Sequence, residues 1–261
     1  MDTRPIGVFD SGLGGLTALS SLFEFLPNEN FIYLGDTLRV PYGAKTKEEL
    51  LKCAADDISF LLKKNVKAIL IACGTVSSTL TKEDFSRIPV LTLGVVAPSV
   101  ERAVNTTKNK KIGIIATAAS IRAGAYEREI KNLAPDSSVF PVACPEFVPF
   151  VEAMRINCED SEVYKTAEKY LLPLKEKGID TLILGCTHYP LLSDVISDIL
   201  PDVNFINVGA EAAKIISEKI DKNPQGCGEC EFYVTKDPEQ FKINGSKFLK
   251  KEIQKVYKTE F

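Results

Sequence analysis

The chain has 261 residues, enough for one large domain or two small ones. Its composition, 45% hydrophobic and 26% charged, is typical of a soluble globular protein, and its net charge of −3 argues against nucleic-acid binding. No apolar run reaches the length of a membrane span and residues 1–5 show no signal-peptide pattern, so we expect a cytoplasmic protein without a nucleic-acid or membrane partner.

Strand-like and helix-like patterns alternate along almost the whole chain. The predicted strands are, in order, residues 5–9, 31–34, 66–72, 90–93, 111–116, 138–142, 180–184, 203–206 and 232–234. Helices are predicted between them, including one over 46–64 that opens with a capping box from Thr46 to Glu49 and one from Ser161 to near Gly178. This α/β alternation predicts parallel sheets covered by helices on both faces.

The pattern restarts near the middle of the chain. Residues 6–11 align with 112–117 at an offset of 106, and residues 68–75 align with 181–188 at an offset of 113. We therefore predict a duplicated α/β unit forming two pseudo-symmetric lobes with the active site between them. The first lobe would comprise 1–95 plus 209–261, and the second 96–208.

The second alignment superimposes Cys73 on Cys186, each at the end of a predicted strand. In open α/β sheets ligands bind at that edge, so the two thiols are expected to face one cleft. Opposed thiols suit removal of a proton from one face of a carbon and its return to the other. His188, the only histidine, lies two residues after Cys186 and could orient or acidify the thiol, or make a structural hydrogen bond.

Two polar loops and one helix offer further candidate residues. After the first strand, the glycine-rich loop 10–15 lacks the dinucleotide-binding spacing, and Asp10 is interpreted as facing the cleft rather than only capping a helix. Residues 35–43 either merely connect two elements or fold over a ligand around Tyr42. Glu152 is either a solvated helical residue or part of the site.

Cysteine usage indicates a reduced, metal-free protein. Seven cysteines are an odd number, so a disulfide framework is not expected, and one histidine is too few for an imidazole-rich metal site. Cys53 is predicted to be buried on a helix, and Cys158 receives no role. Cys227 and Cys230 form a C-x-x-C without a second pair, which leaves zinc or redox chemistry as a minor alternative.

Together these segments resemble the glutamate racemases of the cofactor-independent aspartate/glutamate racemase superfamily. The resemblance rests on GVFDSGLGG at 7–15, GDT at 35–37 with PYG at 41–43, ACGT at 72–75, the stretch from Cys144 to Glu152, and GCTHYP at 185–190. It implies interconversion of L- and D-glutamate without a cofactor or metal, with D-glutamate supplied to peptidoglycan, by a homodimer.

The resemblance also implies roles for individual residues. Cys73 would deprotonate D-glutamate and Cys186 L-glutamate, assisted by Asp10, His188 and Glu152. The residues expected to bind substrate are Asp10, Ser11, Tyr42, Gly43, Gly74, Thr75, Thr117, Thr187 and His188.

Three positions depart from the family pattern. Gly74 replaces the usual Asn, Glu146 replaces a Leu, and Asn207-Val208 replaces Asp-Ser or Asp-Pro. The loss of a side chain at position 74 removes a substrate contact. Two alternatives therefore stay open, namely racemization of aspartate or a hydantoin, and a ligand-binding protein without turnover.

Overall fold

The computed structural model describes residues 2–261, and within that range ten strands form two sheets in which every paired strand is parallel. The strands are β1 Ile6–Asp10, β2 Phe31–Gly35, β3 Ala68–Ile71, β4 Leu91–Gly94, β5 Lys111–Ala116, β6 Ser138–Ala143, β7 Thr181–Leu184, β8 Asn204–Asn207, β9 Cys230–Val234 and β10 Val256–Lys258.

Helices follow nearly every strand, as the alternating pattern predicts. They are α1 Leu16–Phe25, α2 Lys47–Lys63, α3 Gly74–Thr79, α4 Lys82–Ser86, α5 Val96–Thr106, α6 Ala118–Ala123, α7 Ala125–Leu133, α8 Phe147–Glu152, α9 Ser161–Glu176, α10 Ser193–Ile199, α11 Val208–Lys219 and α12 Pro238–Leu249. Two short 3₁₀ helices cover Tyr42–Ala44 and Tyr189–Leu192.

The two sheets repeat one topology. The first has the strand order β10-β9-β2-β1-β3-β4 and the second β6-β5-β7-β8, so β1 to β4 correspond to β5 to β8. The register agrees as well, because Ile6 pairs with Ala68 where Ile112 pairs with Thr181. These two pairs are related by the offsets 106 and 113 found in the sequence, which confirms the repeat.

Local sequence explains why the elements form where they do. Strands β1, β2, β3 and β7 are buried along their whole length, which accounts for their continuous apolar runs. The predicted capping box of α2 is present, since the Thr46 hydroxyl accepts from the Glu49 N–H while the Glu49 carboxylate accepts from the Thr46 N–H. At α9, the Asp160 carboxylate caps the first turn.

The C-terminal segment returns to the first sheet, as predicted. Strand β9 pairs with β2, and β10 adds the outermost strand. The sequence did not predict β10, a three-residue edge strand with two exposed residues and little apolar periodicity. No helix in residues 2–261 combines the length and apolar character needed to cross a membrane.

Candidate active site

The two cysteines singled out by sequence occupy equivalent positions in the two sheets. Cys73 lies between β3 and α3, and Cys186 lies between β7 and the 3₁₀ helix Tyr189–Leu192. Both are buried and reduced. Their segments meet across the lobe boundary, since a Cβ atom built on Gly74 would lie 2.3 Å from the Gly185 carbonyl oxygen and 3.7 Å from Cys186 Cα. Gly74 is therefore the position at which the lobes make backbone contact.

Cys73 is held as a neutral thiol. Burial raises the pKa of the Cys73 thiol well above its ordinary value, and the negative charge of Asp10 raises it further. Backbone N–H groups of Val76 and Thr75 oppose this shift without cancelling it. The sulfur of the first lobe is thus set up as a proton donor.

Cys186 lies at one end of a three-residue polar chain. Its Sγ is 3.7 Å from Nδ1 of His188, and Nε2 of the same ring is 3.4 Å from Oε1 of Glu152, the last residue of α8. Although burial opposes a positive charge, interactions with Cys186 and then Glu152 raise the pKa of His188 to about 10. The His188 ring thus lies between the Cys186 sulfur and the Glu152 carboxylate.

Asp10, the last residue of β1, contacts the start of α1. Its buried carboxylate accepts the Gly15 N–H at 2.7 Å, immediately before α1, and its charge also acts on Cys73. The Tyr33 hydroxyl donates to the Gly12 carbonyl at 2.7 Å and holds the same loop. Ser11 is half-buried in this loop, next to Asp10.

Threonines from both lobes meet beside the cysteines. The hydroxyls of Thr75 and Thr117 are 3.0 Å apart, so a hydrogen bond joins the lobes at this point. A Cβ on Gly43 would lie 3.1 Å from Thr117 Cβ, which places the 35–43 loop against the second lobe. The Thr17 hydroxyl donates to the Thr187 carbonyl at 2.8 Å and forms a second bridge.

Tyr42 is buried with its hydroxyl directed away from these threonines. The hydroxyl contacts Oδ2 of Asp36 and lies 3.0 Å from Oδ2 of Asp57, and Arg39 contacts both carboxylates. The hydroxyl of Tyr42 is therefore engaged by carboxylates of its own lobe. Sequence reasoning missed Arg39 and Asp57. The available signal was an acidic residue on the buried stripe of α2, which comprises Leu50, Cys53, Ala54, Asp57 and Leu61.

Other residues noted in the sequence lie outside this arrangement. Asn207 caps α11 by accepting the N–H groups of Gly209 and Ala210, and the Glu146 carboxylate lies 3.9 Å from Lys169 Nζ. Cys227 and Cys230 are both free. Within residues 2–261, no three His, Cys, Asp or Glu side chains are grouped so as to hold a metal ion.

The geometry thus places a neutral thiol on one lobe and a sulfur beside an imidazolium on the other. Such a pair can accept a proton from one face of a carbon and donate a proton to the opposite face. Burial strengthens every electrostatic interaction in the cleft, because little water remains to screen the charges.

Comparisons with known proteins agree with this chemistry. The model of the family described as Asp/Glu/Hydantoin racemase matches residues 30–216. A glutamate racemase of Thermoanaerobacter pseudethanolicus is 42% identical over 98% of this chain and 97% of its own. A crystal structure of glutamate racemase from Francisella tularensis in complex with D-glutamate is 36% identical, with a TM-score of 0.91 over 100% of this chain and 98% of that one. A glutamate racemase isoform from Bacillus anthracis, 32% identical, has a TM-score of 0.92 over 100% and 99% of the two chains.

Proposed function

Because the chain belongs to the Asp/Glu/hydantoin racemase family, we propose that it interconverts L- and D-glutamate by proton transfer between two cysteines. The observation that carries the proposal is the contact between the Cys73-Gly74 and Gly185-Cys186 segments, one from each repeat, at the lobe boundary. Glutamate is favoured over aspartate and hydantoins because the near full-length relatives named above are glutamate racemases.

The reaction balances with the two sulfurs alone. In the L to D direction the Cys186 thiolate takes the α-proton of L-glutamate, and the Cys73 thiol gives its proton to the opposite face of the carbanion. D-Glutamate leaves with Cys73 as thiolate and Cys186 as thiol. In the reverse direction Cys73 takes the proton and Cys186 donates it.

The electrostatics of the free site favour one starting state. Cys73 is held as a thiol by burial and Asp10, whereas Cys186 faces the His188 imidazolium. A thiol at Cys73 suits its role as the acid in the L to D direction. Glu152 helps to keep His188 protonated. Before the next L to D turnover Cys186 gives its proton to solvent and Cys73 takes one from solvent, which the charge of Asp10 favours by raising the Cys73 pKa.

The remaining polar groups are assigned to binding. Side-chain hydroxyls of Ser11, Thr75, Thr117 and Thr187 and backbone N–H groups at Gly43 and Gly74 would hold the carboxylates and ammonium group. The Thr75–Thr117 hydrogen bond is supporting evidence, because a carboxylate placed there could accept from both hydroxyls. Hydrogen bonds to the α-carboxylate stabilise the carbanionic charge that builds up in the transition state.

The wider context follows from the same resemblance. The D-glutamate produced would supply peptidoglycan synthesis in the cytoplasm, and the enzyme would act as a homodimer. We also propose the lobe boundaries 1–95 plus 209–261 and 96–208. They are supported by the assignment of β1 to β4, β9 and β10 to one sheet and β5 to β8 to the other.

The decisive test is hydrogen exchange at Cα in heavy water without added cofactor. L-Glutamate and D-glutamate are each incubated with the protein, and deuterium at Cα is followed by NMR beside the circular dichroism of the amino acid. Incorporation into the product enantiomer supports two-base racemization. Its absence would favour the ligand-binding alternative, and faster turnover of aspartate or a hydantoin would overturn the choice of glutamate.

Cysteine variants test the assignment of the bases. Cys73→Ser and Cys186→Ser should each lower kcat by roughly 10²–10⁴-fold, because a serine hydroxyl is a far weaker acid than a thiol. Cys158→Ser is the matched control, since that thiol is exposed and lies outside the site. Full activity in either active-site variant would exclude the two-thiol mechanism.

A further inference from the structure

A partly buried ionic cluster joins the 35–43 loop to α2 and has no part in proton transfer. It contains Asp36, Arg39, Tyr42, Asp56 and Asp57, brought together from the end of β2, the 35–43 loop and α2. The carboxylates of Asp36 and Asp57 are completely inaccessible to solvent. We call this set the Arg39 cluster.

The guanidinium of Arg39 is the centre of the cluster. Its Nε donates to Asp36, its Nη1 donates to Oδ2 of Asp56 at 2.6 Å, and its Nη2 donates to Oδ1 of Asp57 at 3.2 Å. The ring of Phe261 lies over the guanidinium at 4.8 Å from Cζ to the ring centroid. All three nitrogens are thus engaged, which requires the planar, forked geometry of arginine.

The hydroxyl of Tyr42 lies between two carboxyl groups, although it has only one proton to donate. Burial, and then the charge of Asp36, raise the pKa of Asp57 above its ordinary value, whereas Arg39 and the Tyr42 hydroxyl oppose the shift. The hydroxyl can donate to Oδ2 of Asp36 or to Oδ2 of Asp57, 3.0 Å away, so it is held between the two groups. Asp36 also accepts the Thr235 hydroxyl at 2.9 Å.

The position of Tyr42 matters because it begins the 3₁₀ helix that contains Gly43. Gly43 packs against Thr117 of the second sheet, beside the Thr75–Thr117 hydrogen bond. A shift of the Tyr42 ring is therefore passed directly to the wall of the cleft. Apolar side chains could fill the same space at equal or better stability, since buried ion pairs seldom stabilise a fold more than apolar packing does. The cluster is better explained by a requirement for one defined loop position.

We propose that Arg39 and Asp57 are positioning residues that fix Tyr42, and through it the Gly43 backbone, at the substrate-binding wall of the cleft. The inference rests on the proposed function for its substrate, glutamate. Neither residue touches the reacting atoms. Both act by holding the ring and hydroxyl of Tyr42 in a single place.

The test compares KM and kcat for both enantiomers in five variants. Tyr42→Phe keeps the ring and removes the hydroxyl, Arg39→Lys keeps the charge and removes the fork, and Asp57→Leu removes the hydrogen-bonding groups at similar volume. Asp57→Asn is the conservative variant, because the amide keeps the shape of the carboxyl group and an oxygen that can accept from Arg39. Arg87→Lys is the control, since Arg87 is an exposed arginine paired with Glu83 on α4.

We expect KM to rise about five- to tenfold in both directions for Tyr42→Phe, Arg39→Lys and Asp57→Leu, with a smaller change in kcat. Asp57→Asn and Arg87→Lys should stay within about twofold of the parent. An unchanged KM in Tyr42→Phe, the mildest of the three, would overturn the proposal even if Asp57→Leu fails to fold. The proposal would also be overturned if kcat fell equally in all three variants while KM stayed unchanged. A KM for Asp57→Asn as high as that of Asp57→Leu would overturn it as well.

Failure of the proposed function gives a different result. If the parent protein does not racemize glutamate, the same variants are compared by the calorimetric Kd for L- and D-glutamate. Weaker binding in Tyr42→Phe but not in Asp57→Asn would support positioning of the loop without turnover. Unchanged binding, or no binding by the parent, would overturn the inference.

Discussion

Substitution of Gly74 by alanine should impair catalysis by keeping the two lobes apart. The added Cβ would lie 2.3 Å from the Gly185 carbonyl oxygen, whereas real contacts of this kind are essentially never under 3.0 Å and are rarely under 3.4 Å. The local separation required is the difference, about 0.7–1.1 Å. Both neighbours are backbone, so no side chain can rotate away to relieve the contact.

The separation is transmitted to the reacting groups because Cys73 precedes Gly74 and Cys186 follows Gly185. A displacement of about 1 Å from the reactive geometry costs on the order of 10²-fold in rate. We therefore expect Gly74→Ala to lower kcat by about 10- to 100-fold in both directions. Gly74→Asn, which restores the usual family residue, should lower kcat at least as much, because it adds the same Cβ atom.

The assay is the initial rate of racemization from each enantiomer, followed by circular dichroism, together with thermal unfolding. Alanine is favoured over glycine by about 1 kcal/mol within a helix, so the stability of α3 should not fall. Gly226→Ala is a matched control, because its Cβ would lie 1.9 Å from the Asn28 carbonyl oxygen, a backbone contact within the first lobe. It should lower stability and leave kcat unchanged. A parental kcat in Gly74→Ala would refute the argument that backbone contact at this position sets the closed geometry.

Three further predictions concern charge. Glu152→Gln removes one of the interactions that raise the pKa of His188. The decrease of kcat/KM for L-glutamate at alkaline pH should therefore begin at lower pH. If it does not, Glu152 does not act through the protonation of His188. The folded-state pKa of His188, about 10, exceeds its ordinary 6.5. The stability that His188 contributes is therefore complete below about pH 6.5 and is lost as pH rises towards 10. In urea unfolding, the free energy of unfolding of His188→Asn should decline less steeply over that range than that of the parent. Lys67 Nζ lies 2.8 Å from the buried Glu29 carboxylate, and Lys67→Met leaves that carboxylate without its cation. The substitution should lower the free energy of unfolding by about 3–5 kcal/mol. A loss under about 1 kcal/mol would show that Glu29 is not left as an uncompensated buried charge.

The sequence by itself was sufficient for the architecture. Continuous apolar runs at β1, β3, β5 and β7 could only be buried parallel strands, and the alternation with amphipathic helices then left few possible folds. The two offsets, 106 and 113, located both the repeat and the paired cysteines, because the internal register of each sheet is preserved between the lobes. Apolar runs and repeats are local or periodic properties of the sequence, so they can be recognised without the structure.

The tertiary structure alone decided which groups meet across the lobes. The sequence could list Gly74 as a departure, but only the fold shows the Gly185 carbonyl in the space that a side chain would need. Likewise, α2 shows an acidic residue on its buried stripe, but nothing in the chain pairs Asp57 with Arg39 and Tyr42. Contacts between distant segments depend on how the lobes pack together. The same packing removes water from around Cys73, and this burial raises the pKa of the Cys73 thiol.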